Sequence, residues 1–204
     1  SDVYKRQAVP DAAAFAKTAG FEWPMPLNIA APVDLRGEWQ RSEGIAPAYK
    51  ISGAFYGGTV DMQSRGADGA QIKITLPESH RLLALFGVDI DRLVSPAGAV
   101  TFTADRTVRA DGFVLDGLRI ETRDGGVTSG KIEKTGNAIT ANLRAGKINA
   151  DRWLAADIRQ SVPLSLKLRA DDAVLRGLNI KTLESDMDVQ SNRIVIRALK
   201  GGLW

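Results

Sequence analysis

From Leu27 onward the chain alternates apolar and polar residues with a period of two. QIKITL sets Ile72, Ile74 and Leu76 against Gln71, Lys73 and Thr75, and VTFT sets Val100 and Phe102 against threonines. LSLKLRA sets Leu164, Leu166 and Leu168 against Ser165, Lys167 and Arg169, and RIVIRA places Ile194 and Ile196 together. A β-strand sends successive side chains to opposite faces, so each run predicts a strand with one apolar face. Turn residues separate the runs at Gly57-Gly58, Asp68-Gly69, Asp111-Gly112, Asp116-Gly117, Asp124-Gly125-Gly126, Gly136-Asn137 and Ser191-Asn192. They tolerate the positive φ of tight hairpins. The pattern predicts about a dozen strands joined as hairpins.

Two stretches break the period and predict short helices: PESHRLLALFG, residues 77–87, and DRWLAADI, residues 151–158. In LNIKTLESDMDV, Leu178 and Ile180 share one parity while Leu183, Met187 and Val189 share the other, which predicts a bulge near Thr182.

The strands carry an internal repeat. RADGFVLDGLRIET, residues 109–122, matches RADDAVLRGLNIKT, residues 169–182, at nine of fourteen positions without a gap. The same offset of 60 pairs Asp91-Arg92-Leu93 with Asp151-Arg152-Trp153. One register thus joins about 88–122 to 148–182, the signature of a repetitive architecture. The glycine of each copy, Gly117 or Gly177, either turns the chain between strands or relieves a bulge.

Residues 1–7, SDVYKRQ, show no periodicity and read as a non-native leader. Residues 8–26 include PDAAAFAKTAGF, bounded by Pro10-Asp11 and Gly20, which predicts a helix. Residues 27–204 form the repetitive β domain and read as a piece cut short at Gly201-Gly202-Leu203-Trp204.

Composition excludes more than it proposes. The 204 residues are 44% hydrophobic, enough for a sizeable core, and no apolar run reaches the length that spans a bilayer. The 27 basic and 24 acidic residues alternate in sign, without the basic, aromatic-studded stripe that nucleic acid requires. Cysteine is absent and His80 is the sole histidine, so neither thiolate chemistry nor a zinc site has its ligands, and no metal or other cofactor is expected. Asp171-Asp172 and Asp186-x-Asp188 lack a calcium-loop pattern, and no serine stands in a nucleophile elbow. An enzyme is not expected.

PLSLKLRADDAVLRGLNIKTLESDMDVQSNRIVIRALKGGLW (163–204), AFYGGTVDM (54–62) and the approach to VDIDRLV (88–94) resemble the AsmA-like family of bacterial envelope proteins. The resemblance implies an all-β fold: an elongated, mostly antiparallel, repetitive sheet curled into a groove. It also implies a periplasmic location with an N-terminal anchor in the inner membrane, and a role in phospholipid transport between membranes and outer-membrane biogenesis. On that reading Ile72, Ile74, Leu76, Val100, Phe102, Leu164, Leu166, Leu168, Ile194 and Ile196 line the groove, the partner is a phospholipid or other acyl lipid, and further envelope proteins are possible partners. The alternative is an envelope scaffold for outer-membrane proteins whose apolar faces close in a dry sandwich without lipid. Alternation alone does not separate the two, since both require it.

Overall fold

The computed structural model describes residues 3–9, 33–40, 48–85, 88–89, 98–151, 159–191 and 193–203. They form one sheet of 13 strands with one short helix. The strands are β1 (Val3–Val9), β2 (Val33–Gln40), β3 (Ala48–Phe55), β4 (Gly58–Arg65), β5 (Gly69–Leu76), β6 (Val88–Asp89), β7 (Val100–Arg109), β8 (Gly112–Thr122), β9 (Val127–Thr135), β10 (Ala138–Asn149), β11 (Arg159–Leu175), β12 (Leu178–Ser191) and β13 (Arg193–Leu203). Helix α1 is Ser79–Leu85, inside the predicted 77–87.

Neighbours in the sheet follow chain order from β1 to β5 and from β7 to β13. Every pairing on this path is antiparallel except β10 with β11, which is parallel. The all-β expectation holds: the sheet is open, mostly antiparallel and curled into a groove. β6 leaves the path to pair with the start of β11, Val88 opposite Gln160 and Asp89 opposite Arg159. This bridge ties the β5–β7 connection to a strand four places beyond β7, a contact that the curl makes possible.

The leading segment, set outside the fold on sequence, supplies an edge strand: Val3–Val9 pairs along its length with β2. Pairing to an open edge uses backbone N–H and C=O groups, so it needs no apolar period and leaves no side-chain signal. The helix expected within 8–26, the punctuation at Asp91-Arg92-Leu93 and most of DRWLAADI lie outside the described residues.

The repeat takes two forms. In the first copy Arg109 ends β7, the chain turns at Ala110–Asp111, and Gly117 sits within β8 at φ 58°. The pairing slips there on both sides, between Thr103 and Asp105 and between Leu115 and Leu118. In the second copy β11 runs straight through Arg169-Ala170-Asp171, and the turn falls at Arg176–Gly177, with Gly177 at φ 72°. Thr182 has φ 54°, beside a register slip between β12 and β13, at the bulge that the parity change predicted.

Candidate functional site: the apolar inner face

Cross-strand registers assemble the alternating positions into continuous rows. One runs Ala70, Arg106, Leu115, Ile132, Ala141, Leu166, Met187 and Ile196 across eight successive strands, from β5 to β13. Flanking rows carry Ile74–Phe102–Ile120, Leu143–Leu168–Ser185–Leu199 and Ile139–Leu164–Val189–Ile194. All ten sequence-selected residues, from Ile72 to Ile196, therefore lie on one face of one sheet.

Burial along that face is graded. Ile72, Ile74, Leu76, Val100 and Phe102 are 1 to 4% exposed, in a core that reaches from Leu35 on β2 to Val162 on β11. Helix α1 buries Leu82 and Leu85 in the same core. Its Arg81 holds the β3–β4 turn, with Nη1 donating to the Tyr56 carbonyl at 2.8 Å and the guanidinium 5.3 Å from the Tyr56 ring. Towards β13 the covering thins. Leu164, Leu166, Leu168, Met187 and Ile194 are half-buried, while Ile196 and Leu199 are 43% and 48% exposed. The face is dry at one end and open at the other.

Polar groups interrupt it. Arg106 is 9% exposed, with its guanidinium 5.9 Å from the Phe113 ring. Burial raises the pKa of Tyr49, and Arg106 partly offsets the rise. The two residues are three strand spacings apart, about 14 Å on a flat sheet, so the curl brings the cation into range of the phenol. Ser185 is 8% exposed, and its Oγ has no hydrogen-bond partner among the described residues. Arg106 was legible in the alternation of TFTADRTV, which puts it on the side of Phe102 and Ala104; Ser185 becomes visible only once β12 is registered against Leu168 and Leu199.

The opposite face is polar. Its ladder pairs Lys131 with Asp116 (3.6 Å), Arg109 with Glu133 (2.6 Å), Arg144 with Asp171 (2.9 Å), Arg169 with Glu184 (3.2 Å) and Arg197 with Asp186 and Asp188 (2.9 and 3.1 Å). Lys73, Lys167 and Arg169 lie on this face, as their parity required. Exposed pairs of this kind contribute about 1 kcal/mol or less each, so they mark the solvated side rather than hold the fold. A depression of about 610 Å³ on this face is lined by Arg144, Lys167, Arg169, Glu184, Asp186 and Lys200 among others.

Elsewhere the Asp151 carboxylate accepts hydrogen bonds from the backbone N–H groups of Arg176 and Gly177, at 3.0 Å for the latter. The Asp of the repeat's Asp-Arg pair thus clamps the repeat's own glycine turn. Asp124 accepts from the Thr122 hydroxyl and the Gly126 amide, which hold its carboxyl below the ordinary value of 3.8. His80 on α1 stands 3.3 Å from Glu78, which directly precedes the helix. Among the described residues no group of three or more His, Cys, Asp or Glu is placed to hold a metal ion, and no helix is long and apolar enough to cross a membrane.

Fold and face together define the class: an open, curled, single-sheet β protein with a largely apolar interior that reaches solvent along its last strands. Comparison with protein-family models, with curated proteins and with solved structures finds no match in any of the three.

Proposed function

We propose that this chain binds lipid acyl chains along its inner face and performs no covalent chemistry, in the manner expected of an AsmA-like envelope protein moving phospholipid between membranes. The observation that carries the reading is the row from Ala70 to Ile196, apolar except at Arg106, which passes from dry core to open surface. An apolar strip left open to water is a liability unless something covers it. An acyl chain does so at a gain of about 0.8 kcal/mol per buried methylene. Exchange with a bilayer then needs a continuous lining rather than reactive groups. Periplasmic location and an inner-membrane anchor in a longer parent belong to the same proposal.

The scaffold reading has one observation in its favour: Ile74, Leu76, Val100 and Phe102 are as dry as a protein core. On the lipid reading, acyl chains engage the β11–β13 end, and the β5–β7 end supports it. Mass spectrometry of lipid co-purifying with the chain, with Leu166→Asp as control, tests this. Stoichiometric phospholipid that disappears in the variant supports acyl binding; a folded, lipid-free wild type favours the scaffold.

A further inference from the structure

We infer that the depression on the polar face is a binding site for a phosphoryl dianion, the group carried by phosphate monoesters. The site lies on the opposite side of the sheet from the apolar strip and is independent of the acyl-binding reading.

The registers place its walls on one face. Arg144, Arg169, Glu184 and Lys200 are successive partners across β10, β11, β12 and β13, and Lys167 with Asp186 forms the next row, two residues away on the same side. Ser129 and Ala198 stand in these rows with short side chains and leave the space between the longer ones open. The resulting volume, about 610 Å³, is within the range of small-molecule sites. It lies over the faces of neighbouring strands, and its four cations, Arg144, Lys167, Arg169 and Lys200, are all exposed.

The charge in this space is not balanced. Four cations face two carboxylates, and both carboxylates are already engaged: Glu184 with Arg169 at 3.2 Å, Asp186 with Arg197 at 2.9 Å. Lys167 stands opposite Asp186 and Lys200 opposite Glu184 in register, yet neither lysine forms an ion pair among the described residues. Arg144 and Arg169 each hold their carboxylate through one terminal nitrogen, which leaves further N–H donors on each guanidinium fork. The two lysines start two strand spacings and two residues apart, about 12 Å, a gap that two extended stems and an anion between them fill. Ammonium point charges beside guanidinium forks suit phosphate oxygens. A surplus of two positive charges matches a phosphate monoester, which carries about −1.5 to −2 at neutral pH, rather than a diester or carboxylate, which carries one.

The test titrates the 204-residue chain with glycerol 3-phosphate and with dimethyl phosphate, followed by amide NMR shifts, and offers it vesicles of phosphatidylcholine with or without phosphatidic acid. Glycerol 3-phosphate is expected to bind roughly fivefold tighter than dimethyl phosphate and to shift the amides around Lys167 and Arg169. Lys167→Gln and Lys200→Gln each weaken it roughly fivefold at unchanged heat stability, while Lys167→Arg and Lys200→Arg retain it. Acidification through about pH 6, where the monoester takes up its second proton, weakens the monoester and leaves the diester as it was. Saturable binding of glycerol 3-phosphate identifies a dissolved phosphorylated compound as the source of the group. Binding confined to phosphatidic acid vesicles, and lost in the same glutamine variants, identifies a lipid headgroup instead. Measurable but equal affinity for the two soluble phosphates, undiminished binding when Lys167→Gln and Lys200→Gln are combined, or no binding to soluble phosphate or vesicle overturns the inference.

Discussion

Gly117 and Gly177 hold the same place in the repeated sequence and the same left-handed backbone, φ 58° and 72°, yet one is a bulge inside β8 and the other the turn between β11 and β12. The shared requirement is conformational, and the neighbours decide its use. In the second copy, Asp151 pins the N–H groups of Arg176 and Gly177, which fixes the turn there.

That clamp gives the first prediction. Asp151→Ala leaves two turn amides without their acceptor and costs about 1 to 2 kcal/mol, as loss of a charge-assisted bond to backbone N–H does. Urea denaturation measures the loss, and Asp151→Asn recovers part of it.

Glycine substitutions will differ in severity by position. A Cβ at Gly177 meets nothing within 4 Å, so Gly177→Ala carries only the cost of left-handed backbone, about 1 to 2 kcal/mol. At Gly130, φ 153°, a Cβ would stand 2.0 Å from the Asn142 carbonyl oxygen of the adjoining strand. That contact parts β9 from β10, and Gly130→Ala is expected to yield little folded protein on expression.

The graded burial predicts a graded response to truncation. Phe102→Ala, in the dry end, costs about 3 to 5 kcal/mol; Ile196→Ala, at the open end, costs less than about 1 kcal/mol. Comparable losses at both sites in chemical denaturation would mean that Ile196 is as well packed as Phe102.

Ser185→Ala removes a buried hydroxyl that has no partner among the described residues. Stability is expected to rise by about 1 kcal/mol, read as a higher denaturation midpoint at unchanged slope. A fall would show that the Oγ is satisfied in the folded protein.

Asp124 supplies a pH signature. Its folded carboxyl titrates below the unfolded one because Thr122 and Gly126 donate to the charged form. Its contribution is therefore present at neutral pH and is lost as acid takes the pH down through the unfolded value and then the folded one. Thr122→Val moves the carboxyl back toward 3.8, which a carboxyl-carbon NMR titration follows directly.

Much of this was legible in the alternation. Parity alone put ten residues on one face, marked the bulge at Thr182 and kept Lys73, Lys167 and Arg169 on the other side. The turn glycines were visible too, although Asp116-Gly117 proved to be a bulge, since φ preference does not say how many residues a neighbouring strand will oppose. The parallel pairing of β10 with β11 left no trace, because partner choice between strands resides in backbone hydrogen bonds that are alike for every residue. The gradient of burial was equally hidden: parity assigns Phe102 and Ile196 to the same face without saying that one lies on a central strand and the other on the last.

The parallel seam between β10 and β11 has a consequence for how the chain reaches this form. Nearly every other contact joins strands adjacent along the chain, and hairpins close in microseconds. At the seam Ile139 must find Leu164, and Asn149 must find Val174. Loop closure there is entropically dearer and wins no contact until it is complete. The antiparallel block from β7 to β10 can form without the seam, which, like the pairings of β1 with β2 and of β5 with β7, closes over a longer stretch of chain than a tight hairpin does.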